Sequence, residues 1–218
     1  MTSQRHSAAG WPRLPSRTAA NRVEDAEILR ATRDSVLAHG VRRTTLTEIA
    51  RRARISRMTL YRRFPDVSSL VGTLMTRDFC AILRHAREQE GSGTARERLV
   101  TATLDTVRQL QDSPLLRRVL DTDAALLLPY LVERLGSTQL AAERFLLDYL
   151  ADGHVDGSVR HSDPAAQARA LLLLVQSFVL SARLTAGTAP DAMNRELAAL
   201  LDAALRPAPA RPAHPEAP

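Results

Sequence analysis

No lysine occurs in this 218-residue chain, and all 30 of its basic residues are arginine. A bias that complete touches every position equally, so the choice of arginine says nothing about function by itself. Cysteine is nearly as scarce, and the lone Cys80 excludes an intramolecular disulfide. Nothing near Met1 joins a basic start to an apolar signal core, and the longest apolar run, Ala170 to Val175, is far too short to cross a bilayer. These absences predict a cytoplasmic protein with no membrane partner. Alternating or β-branched runs are also missing, which leaves little material for strands. The chain has six histidines, but no Gly-rich phosphate loop, nucleophile elbow or paired-carboxylate spacing accompanies them. The expectation is a protein that is not an enzyme and carries no cofactor or metal.

The charge that is present is unevenly placed. Residues 1–64 hold 14 Arg against 5 Asp and Glu, whereas residues 65–218 hold 16 against 19, so a segment of +9 precedes a body of -3. An asymmetry of that kind points to a polyanion-binding segment, and nucleic acid fits better than membrane because no strongly apolar helical face accompanies the basic one. Hydrophobic residues make up 44% of the chain, ample for a core.

Apolar spacing of period 3.6 runs almost throughout, punctuated by Gly, Pro and Asp, and predicts an all-α fold. Residues 1–20 are expected to be a disordered basic arm and residues 207–218 a disordered tail. A first helix should span about Arg22 to His39 and end at Gly40. Thr45 and Glu48 form a T-x-x-E box at the start of a second helix whose inner face is Leu46, Ile49, Ala50 and Ala53. Ser56 caps a short third helix that Pro65 must end, and Asp66 caps a fourth running towards Glu90. Further helices are predicted over 94–111, 114–121, 124–135, 138–151, 164–185 and 191–205.

The second and third helices have helix-turn-helix spacing, in which the second member enters the DNA major groove. At 100° per residue Leu60 and Phe64 mark the inward side of the third helix, and Arg62 points away from it, flanked by Met58 and Thr59. Those three are the candidate base readers. Arg57, Tyr61 and Arg63 are candidate phosphate contacts on the flanks, and Thr45 offers a hydroxyl and free N–H groups to a phosphate. A solvated helix face remains an equal reading for Arg51 and Arg52, and a disordered tail for the arm residues Arg5, Arg13 and Arg17.

Residues 28–70, with TTLTEIA followed by TLYRRF, resemble the N-terminal domain of TetR-type transcriptional regulators. The resemblance implies a helix-turn-helix domain over 21–66, a helical regulatory and dimerisation domain over 67–206, a homodimer on double-stranded palindromic DNA, a repressor role and a small-molecule effector. It supports the phosphate role of Thr45. Two positions depart from the family pattern: Arg54 replaces the usual turn glycine, at a cost of about 1 kcal/mol if the backbone there is left-handed, and Val67 replaces a common phosphate-binding lysine.

Candidate effector-pocket residues are Leu104, Val107, Phe145, Tyr149 and Phe178. The penultimate helix is apolar almost all round, which suggests a dimer interface through Leu171, Val175, Phe178 and Val179, paired with Leu197 and Leu201 of the last helix. Asp152 to Asp163 mimics a calcium loop, but His154 stands at a ligand position and Asp163 is placed to cap a helix, so an interhelical loop is the expectation; a zinc site on His154 and His161 has no diagnostic spacing. The competing functional class is a helical ligand-binding or protein-interaction domain without sequence-specific DNA reading.

Overall fold

Capping side chains set where the helices begin. In the computed structural model, which describes residues 19–89, 91–127, 135–182 and 189–208, every described regular element is helical. Four helices form the N-terminal part: α1 (Ala19–His39), α2 (Leu46–Arg52), α3 (Arg57–Arg63) and α4 (Val67–Glu88). They are followed by α5 (Ala95–Asp112), α6 (Pro114–Thr122), a 3-10 turn (Ala124–Leu127), α7 (Ser137–Val155), α8 (Pro164–Leu180) and α9 (Pro190–Leu205). Thr45, Ser56, Asp66, Thr94, Ser113 and Asp163 each accept a backbone N–H of the helix they precede. Thr94 and Glu97 make a reciprocal box. Thr45 makes only half of one, because the Glu48 carboxylate turns to Arg52 at 2.9 Å and the Ser35 hydroxyl at 3.4 Å.

Two apolar cores share α4. The head core joins Ile28, Val36, Leu46, Ile49 and Leu60 to Leu70 and Leu74 of the first turns of α4, and it also takes in Leu115 and Val119 from α6. The body core is built on Phe79 and Leu83 of α4 with the inner faces of α5, α7, α8 and α9. A single helix thus runs from one core into the other, and α6 packs back onto the head.

The helix predicted over 124–135 is only the short 3-10 turn among the described residues; 128–134 lie outside them. Helix α7 continues beyond residue 151 to Val155. Gly153 allows this, since a Cβ there would lie 2.3 Å from Val159 Cγ2, so the bare backbone gives Val159, 1% exposed, its place in the core. Helix α8 ends at Leu180 rather than 185, and the expected positions 183–185 lie outside the described residues.

The calcium-loop mimic resolves into fasteners. Asp152 to Val155 form the last turn of α7. Asp156 accepts the N–H of Ala95 at 2.7 Å and that of Ser158 at 2.9 Å, and Asp163 accepts that of Ala165 at 2.9 Å. These carboxylates hold helix starts, and the His154 and His161 rings stack with centroids 5.1 Å apart. Among the described residues no group of three or more His, Cys, Asp or Glu could hold a metal ion.

Helix α8 packs within the chain against α5, α7 and α9 on much of its circumference. Leu171 and Val179, with Leu197 and Leu201 of α9, are buried in the body core, so four of the six expected interface residues are spent inside the protomer. Val175 and Phe178 are half-buried. The apolar surface left outward centres on Leu173, 53% exposed, and Leu200, 49% exposed, among the exposed Ala166, Ala170, Ala199 and Ala203.

Candidate nucleic-acid interface

Helix α3 is fastened by one face and open on the other. Leu60 is fully buried and Phe64 half-buried against the head core, as the wheel requires. On the opposite side Met58 is 78% exposed and Tyr61 51% exposed, and Arg57 and Arg62 are exposed. Neither arginine has an acidic partner within 4 Å among the described residues. The Ser56 hydroxyl accepts the Thr59 N–H at 3.0 Å and lies 2.8 Å from the Thr59 hydroxyl, so Thr59 is half-buried and engaged in its own helix cap.

Arg63 has a different place from the flank that periodicity assigns. Its side chain is 15% exposed and reaches back to α1, where it donates to Glu24 at 3.1 Å and pairs with Asp25. It fastens the reading helix to the scaffold. Thr45 is exposed at the start of α2, where its oxygen accepts the Glu48 N–H at 3.2 Å and its O–H remains a donor. Arg51 is exposed, whereas Arg52 pairs with Glu48. Val67 packs half-buried against the head core. The arm residues Arg5, Arg13 and Arg17 lie outside the described residues.

A connection the sequence does not announce joins α6 to the turn after α1. Asp123, 2% exposed, accepts the Val41 N–H at 2.9 Å and the Thr122 hydroxyl at 2.7 Å, with Arg42 Nε 3.3 Å away. Gly40 makes room for it: φ is +78°, and a Cβ there would meet Thr122 Oγ1 at 3.1 Å and Asp123 Oδ2 at 3.3 Å. Burial pushes the Asp123 carboxyl up, but the Thr122 hydroxyl, the Val41 N–H and Arg42 outweigh it, leaving the group below the usual carboxylate range.

Glu97, held by the Thr94 N–H and hydroxyl, and Asp156, held by the Ser158 hydroxyl and the Ala95 N–H, are lowered as well. Each of these carboxylates titrates lower in the folded chain than in the unfolded one. Each therefore adds stability above roughly pH 4 and loses it as pH falls through the folded value. Thermal unfolding should show a Tm that is flat between about pH 5 and 7 and falls below about pH 4. A decline beginning near pH 6 would instead assign the acid sensitivity to histidines.

The comparisons agree with this geometry. Residues 28–72, from the middle of α1 to the second turn of α4, match the bacterial regulatory proteins of the tetR family. An uncharacterized HTH-type transcriptional regulator of Mycobacterium bovis is 38% identical over 155 residues, which is 71% of this chain and 79% of the relative. The chain belongs to the TetR family of transcriptional regulators. It is therefore a DNA-binding regulator, and α2 and α3 are its helix-turn-helix.

Solved TetR-family folds extend the likeness to the body. The transcriptional repressor QsdR of R. erythropolis superposes with a TM-score of 0.64 at 20% identity, covering 85% of this chain and 97% of that one. The regulator FadR of Bacillus subtilis, solved with stearoyl-CoA, gives 0.61 at 15% identity, covering 83% and 99%.

Proposed function

We propose that this TetR-family regulator is a cytoplasmic, effector-responsive repressor that binds a palindromic operator as a homodimer, with α3 of each head in the major groove. One observation carries the proposal: the outward face of α3, with Met58, Arg62 and Tyr61, is exposed and, among the described residues, free of internal acids, while Leu60 and Arg63 fix the helix beneath it. Arg62 suits a bidentate bond to guanine and Met58 an apolar contact with a thymine methyl. Arg57, Tyr61 and Thr45 contact phosphates, and Thr59 supports the helix start as well as facing the groove. Genomic footprinting with the purified protein tests this. One or a few palindromic sites support it; broad occupancy without preferred sites, or none, defeats it.

The dimer forms on the outward apolar face of α8 and α9, around Leu173 and Leu200. Val175 and Phe178 contribute at its edge. Leu173→Glu should raise the dimer dissociation constant about ten-fold or more, read by sedimentation as a function of concentration. An unchanged constant would remove this face from the interface.

Effector binding falls to the body, the domain we assign to 67–206. Leu104, Val107, Phe145, Tyr149 and Phe178 all belong to or pack on its core, and Phe145 and Tyr149 stand 4.9 Å apart. Gln167 is 5% exposed, and neither amide atom has a partner among the described residues, which leaves hydrogen-bonding capacity for a polar group on an effector. Such a ligand changes DNA affinity only through different affinities for two arrangements of the heads. Asp123, directly after α6, is bonded to Val41 of the DNA-binding head, and Leu115 and Val119 of α6 pack in the head core, so α6 ties the body to the head.

A further inference from the structure

Arg54 is the only non-glycine residue with positive φ among the described residues, at +56°. The turn requires it. The Arg54 N–H reaches the Arg51 carbonyl at 3.3 Å and the Ile55 N–H the Ala50 carbonyl at 3.0 Å, the paired bonds that end a helix through a left-handed residue. Glycine fits that position without strain, and an L side chain does not.

The arginine side chain returns nothing to the fold. It is exposed, and among the described residues it makes no ion pair or hydrogen bond through its guanidinium. Nothing among the described residues offsets the strain. Arg51 and Arg57, three residues to either side, are likewise exposed and have no acidic partner among the described residues. Three unneutralised guanidiniums thus bracket the turn that leads into the reading helix, and the nearby Glu48 carboxylate is already paired with Arg52.

Resting on the DNA-reading role given above, we propose that Arg54 is a phosphate-binding residue, held in a strained turn so that its guanidinium grips the DNA backbone beside the groove occupied by α3. It positions the head and does not read sequence.

Arg54→Gly and Arg54→Lys test this by Tm and by binding to the footprinted operator and to a random-sequence duplex over a range of salt. The glycine variant should melt about 2 to 4 °C higher. It should bind both duplexes more weakly in similar proportion, with a salt slope shallower by about 0.9 per half-site. Arg54→Lys should keep the wild-type slope.

An unchanged slope for Arg54→Gly, with the wild type still selecting its palindrome, overturns the assignment of Arg54 alone. A lower Tm for the glycine variant also overturns it, because the arginine would then be serving the fold. A wild-type protein that binds neither duplex overturns the DNA-reading role together with this one.

Discussion

Arg62→Ala should weaken binding to the operator by about 1 to 3 kcal/mol per half-site, roughly 5- to 150-fold, and change affinity for random duplex far less. The expectation rests on exposure and on the absence of competition. Arg62 stands on the open side of α3 with no acidic partner among the described residues, so its five N–H donors are available to a base edge. Because it supports nothing in the head, Tm should stay at the wild-type value. A palindrome engages two heads, so the two losses combine on the full operator and the preference over random sequence narrows sharply. Anisotropy titrations on both duplexes at one salt concentration, with a melting curve for the variant, decide the matter. Equal weakening on both duplexes would make Arg62 a phosphate contact and leave Met58 as the principal base reader.

The head was legible because its determinants are local. Thr45, Ser56 and Asp66 cap helices within four residues of themselves, and Leu46, Ile49 and Leu60 show their inward direction by spacing alone. Arg54 stands where the family usually has a turn glycine, and its φ of +56° meets the left-handed condition on which a cost was expected. Legibility fails where a partner is distant in sequence. The partners of Arg63 are Glu24 and Asp25 on α1, and no wheel drawn on α3 alone can place them. Asp123 looks like an ordinary residue after a helix, yet its partner is Val41, 82 positions upstream. Helix α8 shows the same limit. An apolar circumference reports how many neighbours a helix needs but not which chain supplies them, and here α5, α7 and α9 of the same protomer supply most of them. The helix expected to end at 151 runs on to Val155, and only the structure shows Val159 occupying the space a side chain at Gly153 would need.

Arg63→Ala should act on the fold before it acts on DNA. Arg63, Glu24 and Asp25 have side chains 15%, 31% and 21% exposed, between a surface pair, worth little, and a buried one, whose disruption is costly. Removing the guanidinium takes from the partly desolvated carboxylates of Glu24 and Asp25 the cation they share. A loss of about 1 to 3 kcal/mol follows, seen as a Tm drop of roughly 2 to 12 °C for a chain of this size. DNA binding should weaken on operator and random duplex together, because α3 loses its fastening to α1, while the salt slope keeps its wild-type value. A phosphate clamp predicts the opposite pattern: an unchanged Tm and a shallower slope. The double-mutant cycle that combines Arg63→Ala with Asp25→Asn would measure the coupling between the two side chains directly. If the two substitutions simply add, the ion pair is not what holds α3 in place, and its seating depends on Leu60 and Phe64 alone.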